Sequence, residues 1–147
     1  MITFKKVQVC FLLIFIFFNI FYIEPCYSIS MREDLFRNAL DLSSVGKFNL
    51  ALQEWNSYLD TYPDDAAGLS NRGNVRLVMG DLEGSIDDQN KAISLNPSEI
   101  DPYINRGIAE EALGLWLQAK KDYMFVISQD SKNFSAIYNL ANVEGST

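Results

Sequence analysis

The sequence predicts an all-α fold, a superhelical solenoid of antiparallel helix pairs, and three observations carry that reading. Gly46, Gly80 and Gly114 stand at equal intervals along the chain. The same offset joins Ala51, Ser85 and Ala119, and also Leu35, Leu69, Tyr103 and Ile137. Small residues at Ala39, Gly73, Gly107 and Ala141 form a further column, as two closely crossing helices in each unit require. Three repeats follow, at about 32–65, 66–99 and 100–133, with a partial fourth over 134–147.

Ahead of the repeats, residues 1–28 read as a signal peptide. Lys5 and Lys6 precede an apolar run from Val9 to Phe18 that continues to Ile23, and small residues at Cys26 and Ser28 allow cleavage after Ser28. The alternative is an uncleaved anchor, because the stretch from Val7 to Ile23 lies at the short end for a spanning helix. The first reading sends the chain to a periplasm, a thylakoid lumen or the extracellular space. The second tethers it to a membrane by its N-terminal segment.

In the first repeat, Leu35, Ala39 and Leu42 give one helix an apolar face, and Gly46 breaks it. The second helix carries Phe48, Ala51, Leu52, Trp55, Tyr58 and Leu59 in one stripe and stops before Pro63. Trp55 and Tyr58 are expected in the core. Asp64 and Asp65 are placed to cap the next helix, as is Asp81 after Gly80. Asp101 followed by Pro102 is expected to cap and start the third repeat. The fourth unit opens with Phe134, Ile137, Tyr138, Leu140 and Ala141, enough for its first helix.

These columns resemble tetratricopeptide repeat (TPR) motifs, in which a large residue, a Leu-Gly pair, a Tyr, a turn glycine, an Ala, an aromatic, an Ala and a Pro recur. Repeat two supplies Leu69, Arg72-Gly73, Arg76, Gly80, Ser85, Gln89, Ala92 and Pro97. Repeat three supplies Tyr103, Arg106-Gly107, Glu110, Gly114, Ala119, Tyr123 and Val126, and repeat one Leu35, Asn38-Ala39, Leu42, Gly46, Ala51, Trp55, Tyr58 and Pro63. Arg72, Arg76, Gln89, Arg106 and Glu110 depart from the pattern by placing polar groups where apolar packing is usual. Arg106 and Glu110 are i, i+4 on one helix, and Arg76 is the equivalent of Glu110 one repeat earlier. Glu110 is therefore expected to join both arginines.

Charge and composition restrict the function. The formal net charge is −7, and removing residues 1–28 leaves 10 basic and 18 acidic side chains, so a nucleic-acid partner is disfavoured. There is no histidine, and both cysteines lie in the N-terminal segment. Neither a catalytic residue, a metal site nor a cofactor is expected. The acidic pairs Asp87-Asp88 and Glu110-Glu111 point about 100° apart on a helix and cannot converge on one reacting atom.

The TPR resemblance implies a protein-binding or peptide-binding scaffold whose first helices line a concave groove. Asn71, Asn105 and Asn139 recur there once per repeat, with Asn74 and Asn142 beside them. An amide offers donor and acceptor together, so the row suits the backbone of an extended peptide; the alternative is that asparagine is common in this column and merely solvates the face. Phe36, Ile104 and Tyr138 flank the row, while Asp101 and Glu111 favour a basic segment. TPR domains that clamp a terminal carboxylate resemble one another in using basic residues where Phe36, Leu40 and Asp101 stand here. The runner-up is a structural subunit of an envelope- or membrane-associated assembly, a class that includes assembly factors of photosynthetic membranes. The last helix carries Phe134, Ile137, Tyr138, Leu140 and Val143, too many for one face, so this end is expected to associate with a second copy or a partner, or the chain is a shortened form of a longer relative.

Overall fold

The structure, a computed structural model, describes residues 31–146. The signal or anchor expected over 1–28 lies outside the described residues. Two units are distinguished, Met1–Leu35 and Phe36–Thr147. Of the first, the described part is the helical stretch 31–35. The second holds the features that follow.

Among the described residues the chain is helical throughout, with α1 over 31–44, α2 Phe48–Thr61, α3 Ala66–Met79, α4 Leu82–Leu95, α5 Asp101–Ala112, α6 Trp116–Gln129 and α7 Phe134–Ser146. The three glycines that set the period occupy the turns inside the pairs, with φ of 74°, 83° and 74° at Gly46, Gly80 and Gly114. That region is open to glycine and costly for other residues, so the turn and the residue coincide. Asp65 accepts the Gly68 N–H at 2.9 Å, Asp81 that of Gly84 at 3.1 Å and Asn133 that of Ala136 at 3.0 Å, each capping a helix start. Asp101 does not act as a cap. Ile100 already has helical dihedrals and precedes α5 without a side-chain cap, which places Asp101 and Pro102 inside the first turn.

Small columns receive large ones across each pair. Trp55, Gln89 and Tyr123 share one column of the second helices and are all fully buried, as is Ala39 in the facing column. A methyl group at Gly107 would come within 2.6 Å of the Tyr123 ring, and one at Gly73 within 2.5 Å of the Gln89 amide. The absence of a side chain there is what lets the two helices approach. Burying Trp55 and Tyr123 contributes up to about 4–6 kcal/mol each on area. Their polar tips end at equivalent places one turn before the hairpin: Trp55 Nε1 donates to Ser43 Oγ at 3.0 Å, and the Tyr123 hydroxyl to Glu111 at 3.1 Å. In repeat two Leu77 fills that place, and Gln89 instead donates to the Ser70 carbonyl at 3.0 Å, with its own carbonyl oxygen left unpaired.

The polar columns pair differently from the sequence expectation. Arg106 grips Asp122 on α6 through two hydrogen bonds of 2.7 Å and reaches Asn90 on α4 at 2.7 Å. Arg72 repeats this one unit earlier, with Asp88 at 2.8 and 2.6 Å and Asn56 at 3.1 Å. Each fork joins the two helices of its own repeat to the second helix of the preceding one. Arg76 also takes Asp88, at 3.1 Å. The expected link from Glu110 to both arginines is therefore not made. The planar guanidinium of Arg106 is committed bidentately to a carboxylate lying across from it, a better geometry than a partner one turn along the same helix.

Candidate functional site

From α2 onward each helix packs on the next in sequence, and in addition α3 touches α5 and α5 touches α7, whereas α4 and α6 do not meet. First helices are thus drawn together on one side while second helices spread on the other. A stack built this way curves with its first helices inward, so the concave face carries α3, α5 and α7.

A cavity of about 580 Å³ opens on that face. Ala66, Ala67, Ser70, Asn71 and Asn74 of α3 form one wall, and Asp101, Pro102, Ile104 and Asn105 of α5 form the other. Ala92 of α4 and its C-cap Asn96 close it, with Glu99 from the following loop, Asn133 just before α7 and Ser135 in the first turn of α7. Five of the residues expected from sequence, Asn71, Asn74, Asp101, Ile104 and Asn105, come together here. The other four lie outside its lining. The Phe36 ring packs edge-on against Trp55 and Tyr58, at centroid distances of 5.0 and 5.5 Å. Tyr138 is 67% exposed on α7, Asn139 is half-buried and Asn142 is exposed.

Sequence reasoning missed the other lining residues, and of these Glu99, Asn133 and Ser135 bear on the cavity's chemistry. The signal for them was present, because Ser135 stands one repeat period beyond Asp101, and Asn133 one period beyond Glu99. Glu111, expected beside the row, instead accepts the Tyr123 hydroxyl. Burial, with the charge of Glu111 behind it, pushes that phenol well above its usual range, so Tyr123 stays a donor.

The cavity is amide-rich. Asn71 donates one N–H to the Ala67 carbonyl at 2.9 Å, which fixes its rotamer and leaves the second N–H and the oxygen available. The Asn105 amide makes no hydrogen bond to another described residue. Asn96 donates to Glu99 at 3.4 Å, a long contact that leaves most of that carboxylate uncommitted. A second cleft, of about 410 Å³, lies around Leu59, Leu69 and the Arg72 fork. Its cations are already engaged: Arg72 and Arg76 by Asp88, and Lys91 by Asp64 at 3.2 Å and the Pro63 carbonyl at 2.8 Å.

No protein-family model matches the chain. Among curated proteins it is 31% identical over 102 residues to human sperm-associated antigen 1, covering 69% of this chain and 11% of that protein. It is 29% identical over 127 residues to human tetratricopeptide repeat protein 6, covering 86% of this chain and 24% of the relative. The chain thus spans a quarter or less of the length of these relatives. Among solved structures, the first TPR of Spaghetti bound to the HSP90 peptide SRMEEVD superposes with a TM-score of 0.76 at 26% identity, covering 78% of this chain and 91% of that one.

Proposed function

We propose that this chain, whose fold is the TPR solenoid, is an exported, non-catalytic scaffold that binds an extended segment of a partner protein in its concave groove. The observation that carries the reading is the cavity between α3 and α5, where Asn71, Asn74 and Asn105 stand with Ile104 in one opening. The likeness to a TPR bound to a peptide supports that use of the face. Asn139 and Asn142 of α7 and Phe36 of α1 extend the same reading to the groove on either side of the cavity. The HSP90 peptide of the Spaghetti structure ends in Glu-Glu-Val-Asp. Acidic ends of that kind fit poorly here, because no lysine or arginine lines the cavity and Glu99 and Asp101 do.

Binding is tested with peptides selected from a random displayed library on the full chain. Replacing Asn71 and Asn105 together by Ala should weaken the selected peptides about tenfold or more, with helicity and Tm unchanged, since neither amide is needed by the fold. Peptides that bind parent and double variant equally would remove the cavity as the site.

Export rests on the charged start, the apolar run and the small residues of 1–28. Among the described residues no helix is long and apolar enough to cross a membrane. N-terminal sequencing of the protein from its own cell should return Ile29 or a residue close to it. Met1 would assign the segment to an anchor, and with it the structural-subunit alternative gains weight.

A second copy of the chain is the occupant we propose for the outer face of α7. Phe134 is 85%, Ile137 42% and Tyr138 67% exposed, and Ala141 lies exposed on the same helix. The one acid of α7, Glu144, is held by Lys120 at 2.7 Å. An uncharged face can meet itself without the repulsion that a net charge of −7 would otherwise bring.

A further inference from the structure

The charge of the groove is one-sided. Glu99 and Asp101 line the cavity, and no lysine or arginine does. Two other acids at helix contacts, Asp88 and Asp122, are neutralised by arginine. Asp101, by contrast, is exposed and has no hydrogen-bond or ion-pair partner among the described residues. The start of α5 favours one carboxylate at Asp101, through the positive end of the helix. It does not account for a second, at Glu99, in the same opening with no cation to offset them.

We infer that the groove takes an extended segment carrying a lysine or arginine next to an aliphatic side chain. This rests on the groove reading above and adds the chemistry of the partner. The amides of Asn71, Asn74 and Asn105 supply donors and acceptors for the backbone of the segment. Half-buried Ile104 gives the aliphatic side chain a surface to cover, and Glu99 and Asp101 receive the cation. A concave, partly enclosed wall strengthens such a pair relative to open solvent, because fewer water dipoles screen it. Two half-screened pairs of this kind amount to a preference of about tenfold, and salt should erode it.

The test uses the full chain and three fluorescent dodecapeptides of equal aliphatic content, one basic, one neutral and one acidic. The basic peptide should bind about tenfold more tightly than the neutral one, and the acidic peptide more weakly than either. In an E99Q/D101N variant, and in the parent at about 1 M salt, the basic and neutral peptides should converge to within about twofold. A neutral or acidic peptide binding as tightly as the basic one would overturn the inference, as would a preference undiminished in the variant. If the neutral peptide binds and the N71A/N105A variant weakens it, while no charge preference is seen, the groove reading stands and this inference fails. If no peptide binds, or binding ignores N71A/N105A, both fall.

Discussion

Glu110 sits on α5 only 8% exposed, with its Oε2 atom lacking any hydrogen-bond partner. Burial first, and then the negative charge of Asp122, raise its carboxyl to about 7, against the pull of Arg106. The sign of the linkage follows from that direction. A carboxyl held above its ordinary value contributes stability that is complete below about 4.5 and is lost as pH rises through about 7. Replacing Glu110 by Gln keeps the shape and removes the ionisation. The variant should match the parent at pH 4.5 and exceed it by about 1–3 kcal/mol at pH 8, read from denaturant unfolding at the two values. Coincident stability at pH 8 would mean that the carboxylate is solvated after all. From sequence alone Glu110 looked like a partner for Arg106, because i, i+4 spacing is visible in a sequence. The competing carboxylate, Asp122, lies on the next helix, and its priority depends on the direction of the guanidinium plane.

At the scale of the helix, the constant offset between repeats was sufficient to read the architecture. It fixes the turn glycines, and a glycine in the left-handed region leaves little freedom in where α3 stops and α4 starts. Where a helix starts without a side-chain cap, as α5 does at Ile100, composition misplaced the boundary by a residue. The last helix was read in part. Its apolar residues divide between two faces, with Ala136 and Val143 buried, Leu140 half-buried and Phe134, Ile137 and Tyr138 exposed. The exposed face includes Ala141, which shares its column with Gly73 and Gly107, each of which is covered by its repeat's second helix. Self-association of α7 has a direct readout. Sedimentation of the full chain should show a concentration-dependent dimer, and an F134S/Y138S variant should shift the midpoint at least tenfold upward, because two large exposed rings leave the contact. A parent that stays monomeric at high concentration would contradict the paired-copy reading.

Over the whole molecule, what the sequence conveyed least was which residues converge. The row of Asn71, Asn105 and Asn139 was legible as a column, since it is periodic. The cavity was not, because it draws on the end of α4 and the start of α7 as well as on α3 and α5, and those junctions become neighbours only once the pairs have stacked. Two arginine forks, each tying three helices, hold that stacking. The concave face then presents amides, apolar side chains of which Ile104 is the largest, and acid, the set from which the peptide-binding reading is drawn. Side-chain amide and methyl resonances test it most directly. On addition of a library-selected peptide to the full chain, the Asn71 and Asn105 amide signals and the Ile104 methyl should shift at saturation, while residues on the spread second helices such as Glu83 and Lys121 hold still. Shifts confined to the second helices or to α7, with Asn71, Asn105 and Ile104 unmoved, would contradict the account.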